Sequence, residues 1–159
     1  MNKKLGQIVL VAIVGLTSVF YANAQEHVKS WKIVSNTLEN GQSLKPGEAI
    51  ASKNYIAVLQ KDGNFCLYKL DSKAKYGNKF VKCTMTVGSE DKKGASLVMQ
   101  KDGNLALYNS KGGHLWSTDT YRGGNEKLGG RLIMYDDGKL ILLNKVERPI
   151  YDFQKGRLY

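Results

Sequence analysis

A set of polar residues suited to binding a sugar occurs twice in the sequence at the same spacing. Residues 60–68 read QKDGNFCLY and residues 100–108 read QKDGNLALY. Glutamine, aspartate, asparagine and tyrosine recur at even spacings, which places them on one face of a β-strand because strand side chains alternate between faces. A carboxylate, two amides and a phenol supply both donors and acceptors of hydrogen bonds. The vicinal hydroxyls of a sugar require that combination, so both segments predict carbohydrate-binding sites.

The two copies differ in the residue between the asparagine and the tyrosine, and a third copy keeps less of the pattern. The second copy carries the small Ala106 there and is predicted to be the best site, whereas the first copy carries Cys66. In the third copy only the aspartate survives, so we expect a degenerate site that supplies fold or a contact surface. The predicted residues are Gln100, Asp102, Asn104, Ala106 and Tyr108 in the second copy; Gln60, Asp62, Asn64 and Tyr68 in the first; and Tyr135, Asp137, Lys139, Ile141 and Leu143 in the third.

These copies belong to an internal repeat, whose units lie near residues 55–86, 95–120 and 130–153. The aspartates of successive copies are 40 and 35 residues apart. In each unit an apolar alternation leads into Asp-Gly, a tight-turn signal, and then into another alternation, which is typical of antiparallel strands. One small sheet cannot bury an apolar face by itself. The repeat therefore predicts an all-β fold in which three small sheets pack about a common axis.

At the repeated residues the sequence resembles the bulb-type, monocot mannose-binding lectin family, whose signature is QxDxNxVxY. Residues 38–44, 47–52 and 116–120 are similar to other strands of that family, so the resemblance extends from about residue 35 to residue 153. It implies a β-prism II of three four-stranded antiparallel sheets with pseudo-threefold symmetry. It also implies shallow, non-catalytic sites for terminal mannose-type glycans.

The family pattern assigns a role to each residue of the second copy. The resemblance implies that Asp102 and Asn104 contact the axial 2-hydroxyl, which distinguishes mannose from glucose. It implies that Gln100 contacts the 3-hydroxyl and Tyr108 the 4-hydroxyl. Ala106 replaces a valine that packs against the ring carbons of the sugar, so an apolar surface is kept but its area is smaller.

The chain contains two cysteines, Cys66 and Cys83. An even number of cysteines in an exported protein favours one disulfide. Aligning residues 82–86 with residues 116–120 places Cys83 opposite Cys66 on a neighbouring strand, which differs from the family's usual cysteine placement. In the chain-entropy model such a bridge contributes about 3 kcal/mol to stability. It would also put sulfur on the floor of the first copy and reshape that site.

Residues 1–24 have the pattern of a signal peptide. Lys3 and Lys4 precede an apolar run from residue 8 to residue 21 and a small-x-small site that ends at Ala24. The run is shorter than the roughly 20 residues that span a bilayer, so we expect cleavage near Ala24 and no stable membrane insertion afterwards. Residues 25–159 are then a single lectin domain, secreted, periplasmic or on the cell surface, and the leader resembles those of bacteria.

Other function classes find little support in the sequence. The net charge is +10, or +8 without Lys3 and Lys4, but no basic helix or aromatic platform indicates a nucleic-acid partner. His27 and His114 lack metal-ligand spacing, and we expect no metal and no cofactor. The repeated aspartates fall in equivalent, distant copies rather than as the converging pair of a glycosidase, so no enzyme is predicted. The alternative is a bacteriocin-like or adhesion module that uses the same β-prism for protein contacts.

Two features outside the repeats concern packing and assembly. Trp31 lies ahead of the first unit and is expected to fill a core, because large aromatic side chains are mostly buried. Residues 154–159 follow the last predicted strand. In the resembled family C-terminal strands commonly exchange between subunits, so the resemblance suggests a homodimer formed through this tail.

Overall fold

The computed structural model of the chain describes residues 31–71, 78–88, 91–121 and 129–158, and all regular structure within these ranges is β-strand. The strands form three sheets. The predicted leader, residues 1–24, lies outside the described residues. Within the described ranges no helix has the length and apolar character needed to cross a membrane. The prediction of an all-β fold is confirmed.

Each sheet is built around two consecutive antiparallel hairpin pairings. In spatial order, the first sheet contains β1 (Lys32–Ser35), β4 (Glu48–Ala51), β5 (Tyr55–Leu59), β6 (Phe65–Lys69) and β7 (Lys79–Cys83). In the same order, the second contains β3 (Ser43–Leu44), β8 (Ser96–Met99), β9 (Leu105–Tyr108) and β10 (His114–Ser117). The third contains β2 (Thr37–Glu39), β11 (Gly130–Met134), β12 (Leu140–Asn144), β13 (Pro149–Asp152) and β14 (Gly156–Arg157).

Strands β2, β3 and β4 follow one another in the sequence but join three different sheets. Strand β2 pairs with β11, β3 pairs with β8, and β4 pairs with β5, each in antiparallel orientation. Each repeat unit supplies only three consecutive strands of its own sheet. The segment before the repeats therefore completes all three sheets and ties them together.

One face of each sheet contributes to a shared apolar core. In the second sheet the side chains of Leu97, Met99, Leu105 and Leu107 are fully buried there, as the alternation in the sequence predicts. The same role is taken by Ala57, Leu59, Phe65 and Leu67 in the first sheet and by Leu132, Met134, Leu140 and Leu142 in the third. The opposite, outer face of each sheet carries the residues of the repeated polar pattern.

The first sheet also buries part of its outer face. A separate apolar cluster lies there, and Trp31 packs against it. Trp31 was expected to fill a core, but it contributes to this outer cluster rather than to the shared one. The reason is β1, which docks beside β4 and carries the residue before it onto that face. The cluster consists of Ala49, Ile56, Val58, Cys66 and Tyr68.

Each repeat turns at an Asp-Gly pair whose glycine adopts a left-handed backbone conformation. The φ angles of Gly63, Gly103 and Gly138 are 88°, 83° and 92°, a region that glycine occupies without the steric penalty of a side chain. At Gly138 there is also no room for one. A Cβ atom there would lie 2.5 Å from Cζ of Tyr55, so this turn closes directly onto the first sheet.

The predicted plan of three sheets is confirmed, but two sheets have five strands rather than four. Strand β1 lies parallel to β4, with Lys32 opposite Glu48. Strand β14 extends the third sheet by pairing with β13. Residues on either side of the repeats thus lengthen the sheets at their edges. Because β14 pairs within its own chain, the homodimer formed by C-terminal strand exchange stays a prediction.

Candidate carbohydrate-binding site

The second copy of the repeated pattern lies on the outer face of the second sheet. Asn104 leads into β9 and Gln100 follows β8 directly, so the hairpin turn brings their side chains together. Ala106 and Tyr108 continue along β9 on the same face, opposite Val98 and Ser96 of β8. The structure therefore assembles the predicted residues of this copy at one place.

A chain of hydrogen bonds connects the two amides and the phenol. Nδ2 of Asn104 donates to Oε1 of Gln100 at 3.3 Å, and Nε2 of Gln100 donates to the hydroxyl oxygen of Tyr108 at 2.9 Å. Gln100 and Tyr108 are partly exposed, whereas Asn104 is buried. The side chains hold one another in place and present a polar surface that can both donate and accept hydrogen bonds.

Two threonines after β10 hold Asn104, and sequence reasoning assigned them no role. Oδ1 of Asn104 accepts hydrogen bonds from Oγ1 of Thr118 at 3.0 Å and from the backbone N–H of Thr120 at 3.3 Å. These contacts fix which end of the amide faces the site, so that Nδ2 points toward Gln100. The signal was present in the sequence, because the first copy has the same Thr-x-Thr spacing at Thr84 and Thr86.

The aspartate of the pattern has a structural role in all three copies. Oδ1 of Asp102 accepts the backbone N–H of Asn104 at 3.0 Å, and Asp62 makes the same contact at 3.0 Å. In the degenerate copy Asp137 does so with the N–H of Lys139 at 3.1 Å. Aspartate therefore follows from the turn itself. What distinguishes the first two copies from the third is the set of glutamine, asparagine and tyrosine.

Ala106 is completely buried. The hydrogen bond from Gln100 to Tyr108 passes over it, because these two residues flank the Ala106–Val98 pair on the same face. The expected contact between Ala106 and sugar ring carbons therefore requires this bond to open. With the bond closed, Ala106 offers no accessible surface to a ligand, while Val98 beside it stays partly exposed.

The first copy shares the glutamine-to-tyrosine and threonine-to-asparagine hydrogen bonds of the second but has a different floor. Nε2 of Gln60 donates to the hydroxyl oxygen of Tyr68 at 2.9 Å, and Oγ1 of Thr84 donates to Oδ1 of Asn64 at 3.1 Å. The predicted disulfide is confirmed: Cys66 and Cys83 are bonded, and their Cα atoms lie 4.1 Å apart.

The bridge changes the surroundings of the first copy. Sγ of Cys66 lies 3.3 Å from Oε1 of Gln60, which places sulfur beside the polar set as expected. The outer side differs as well, since Trp31 stacks against Tyr68 with ring centroids 5.8 Å apart. Tyr68 is only 4% exposed.

The third copy presents an ion pair where the other two present amides. Lys139 binds the carboxylate of Asp137 through its ammonium group. This hydrogen bond holds the pKa of Asp137 below its usual range. The pattern residues here are the exposed Tyr135, Asp137 and Lys139 and the buried Ile141 and Leu143. Without the two amides, and with Leu143 at the position of Tyr108, little in this copy could recognise a set of hydroxyls.

Side chains that could ligate a metal do not cluster in the part of the chain that the structure describes. Among those residues no three histidine, cysteine, aspartate or glutamate side chains converge on a point where a metal ion could bind. His114 contacts Tyr108 edge-to-face, with ring centroids 5.8 Å apart. The groups assembled on the second sheet are therefore suited to hydrogen bonding.

No protein-family model matches the chain, and no curated protein matches it either. Solved structures do match. A lectin of Marasmius oreades is 22% identical with a TM-score of 0.63, covering 77% of this chain and 94% of that one. Monomeric monocot mannose-binding lectins from Gastrodia elata give 25% identity and a TM-score of 0.61, covering 76% and 96%. The mannose-specific agglutinin of snowdrop, Galanthus nivalis, complexed with methyl-alpha-D-mannoside, is 27% identical with a TM-score of 0.57. That match covers 69% of this chain and 90% of the agglutinin chain.

The chain has the β-prism fold of these lectins. The predicted fold class is thereby confirmed, and the resemblance seen in the repeats leads to neighbours that include bulb-type mannose-binding lectins. The neighbours are 86–96% covered by the match, so the described strands correspond to nearly a whole lectin domain of this kind.

Proposed function

We propose that this chain is a non-catalytic lectin that binds terminal mannose-type glycans through the second copy of its repeated pattern. The observation that carries the proposal is the connected set of Gln100, Asn104 and Tyr108 on the outer face of the second sheet. Its donors and acceptors are fixed before any ligand arrives, which reduces the ordering cost of binding. The similarity to a snowdrop agglutinin solved with methyl-alpha-D-mannoside supports mannose as the sugar.

The geometry suits the roles that the resemblance implies. Asp102 uses Oδ1 for the turn, and its second oxygen is the acceptor proposed for the axial 2-hydroxyl, with Nδ2 of Asn104 as the donor. Gln100 and Tyr108 take the 3- and 4-hydroxyls. A glucoside, whose 2-hydroxyl is equatorial, would leave the Asp102 and Asn104 groups without partners, and unpaired buried polar groups are costly.

Export is part of the proposal. The signal-peptide pattern of residues 1–24 leads us to propose cleavage near Ala24 and a mature protein outside the cytoplasm. An oxidising compartment is where the Cys66–Cys83 bridge would form and persist. Homodimerisation through the C-terminal tail, if it occurs, would double the sites and raise avidity on a glycan-coated surface.

The test is retention of the mature protein on immobilised mannan. We expect elution by methyl α-mannoside but not by methyl α-glucoside, and loss of retention in Gln100→Ala. The matched control is Tyr135→Ala, which removes the exposed side chain at the position of Gln100 in the third copy and should leave retention unchanged. A wild-type protein that passes through the column would refute the proposal and favour the protein-contact alternative.

A further inference from the structure

The first and second copies share their polar residues but differ in how open they are. Both have the glutamine-to-tyrosine hydrogen bond at 2.9 Å and the threonine contacts to asparagine. Yet Tyr68 is 4% exposed, whereas Tyr108 remains partly exposed. Both tyrosines occupy the same register position beside their hairpin, but Tyr68 lies opposite Ile56 and Tyr108 lies opposite Ser96. The two tyrosines also differ in the aromatic rings that surround them.

Trp31 packs against the tyrosine of the first copy. Its ring stacks on that of Tyr68 at a centroid distance of 5.8 Å and an interplanar angle of 28°. It reaches this position because β1 runs parallel to β4 and brings Trp31, the residue before β1, against the outer apolar cluster. Phe80 of β7 packs edge-on against Tyr68 from the other side, at 6.1 Å.

The second sheet lacks this arrangement. Its described strands end at β3, which corresponds to β4 of the first sheet, and no strand equivalent to β1 follows. His114 takes the position of Phe80 beside the tyrosine. Among the described residues, one aromatic ring packs against Tyr108, whereas rings pack against Tyr68 from both sides.

We propose that Trp31 closes the first copy and so determines that the chain presents one functional sugar site instead of two. The inference rests on the proposed function, since it concerns which copy binds the sugar. A sugar that bonds to Gln60 and to the Tyr68 hydroxyl must lie on the outer face of the first sheet. Trp31 occupies that face and stacks on the ring that carries the hydroxyl.

The test inactivates the second copy and then measures binding at the first. Gln100→Ala should abolish binding of methyl α-mannoside in calorimetric titration, since the first copy is closed. Adding Trp31→Ala to Gln100→Ala should restore binding at the first copy, to within about tenfold of the wild-type affinity, which is 1.4 kcal/mol. The matched control adds Trp31→Phe, which keeps a ring against Tyr68 and should leave the protein unable to bind.

A second measurement needs no substitution. In the wild-type protein, a mannoside titration followed by NMR should move the resonances of Tyr108 and leave the indole N–H of Trp31 in place. A shifted Trp31 indole, two sites per wild-type chain, binding by Gln100→Ala alone, or no recovery in the double variant would each overturn the role of Trp31. Failure of the proposed function itself gives a different result, the absence of any binding by the wild type.

Discussion

Thr118→Val tests whether the threonines behind Asn104 position the sugar site. Valine has nearly the shape of threonine but lacks the hydroxyl. Thr118 is 3% exposed, and its Oγ1 donates to Oδ1 of Asn104 at 3.0 Å and accepts the backbone N–H of Leu105 at 3.1 Å. The substitution removes these two contacts, and a third to Oγ1 of Thr120 at 2.8 Å, without leaving a cavity.

The magnitude follows from the contacts to Leu105 and Asn104, because Thr120 keeps its own hydrogen bond to the carbonyl oxygen of Gly103 at 2.7 Å. Leu105 is fully buried, so its N–H loses a partner that water cannot replace, at a cost of about 1–3 kcal/mol. The lost bond to Asn104 adds roughly 1 kcal/mol, while the N–H of Thr120 still holds the same oxygen at 3.3 Å. We expect the free energy of unfolding to fall by about 2–4 kcal/mol in total.

Urea unfolding followed by tryptophan fluorescence measures that loss, and calorimetric titration with methyl α-mannoside measures binding. The internal repeat provides the control. Thr84→Val removes the equivalent contacts, 3.1 Å to Asn64 and 3.2 Å from the N–H of Phe65. Both variants should lose similar stability, but only Thr118→Val should weaken mannoside binding, by about tenfold or 1.4 kcal/mol.

Two results would show that the reasoning is wrong. An unfolding free energy within about 0.5 kcal/mol of wild type, the range of ordinary surface substitutions, would mean that the N–H of Leu105 finds another partner. Equal weakening of sugar binding by Thr118→Val and Thr84→Val would mean that the first copy contributes as much as the second. The second result would also contradict the closure of the first copy by Trp31.

Two further predictions concern the frame that carries the sites. Replacing Cys66 and Cys83 together by alanine should lower the free energy of unfolding by about 3 kcal/mol, measured by urea titration. Gly138→Ala should destabilise the protein by about 2–4 kcal/mol, because it combines a left-handed backbone with a Cβ placed 2.5 Å from the Tyr55 ring. Gly112→Ala, with the same kind of backbone but open space around it, should lose only about 1–2 kcal/mol.

Each of these has a result that contradicts it. An unchanged urea midpoint without the bridge would mean that the bond does not restrict the unfolded chain enough to change the free energy of unfolding. Equal losses for Gly138→Ala and Gly112→Ala would mean that the ring of Tyr55 moves aside at no cost, so the close packing of the third turn on the first sheet would have no energetic weight.

Local sequence patterns were sufficient for the strands, the turns and the polar set. Alternating apolar residues identify which face of β8 and β9 enters the core, and Asp-Gly identifies the turns, because both effects act between residues close in the sequence. The repeat also predicts that Cys66 faces Cys83, because the strands of one unit can be aligned with the strands of another. These predictions needed no knowledge of how the sheets meet.

The threonine contacts have a signal in the sequence, but that signal is hard to recognise. Thr118 lies 14 residues beyond Asn104, and Thr84 lies 20 residues beyond Asn64. The unequal spacings hide the equivalence until the closing strands are superposed on their hairpins. The register of β9 with β10 and of β6 with β7 supplies that superposition.

The sequence by itself determined an all-β repeat with two well-preserved polar sets and one degenerate set. Tertiary structure decided how far each set is exposed. Trp31 and Tyr68 are 37 residues apart, and they meet only because β1 docks against β4 across the sheet. No local pattern encodes such a contact, since the free energy that forms it comes from pairing and burial between distant segments. Two nearly identical stretches of sequence therefore have different accessibility in the folded chain.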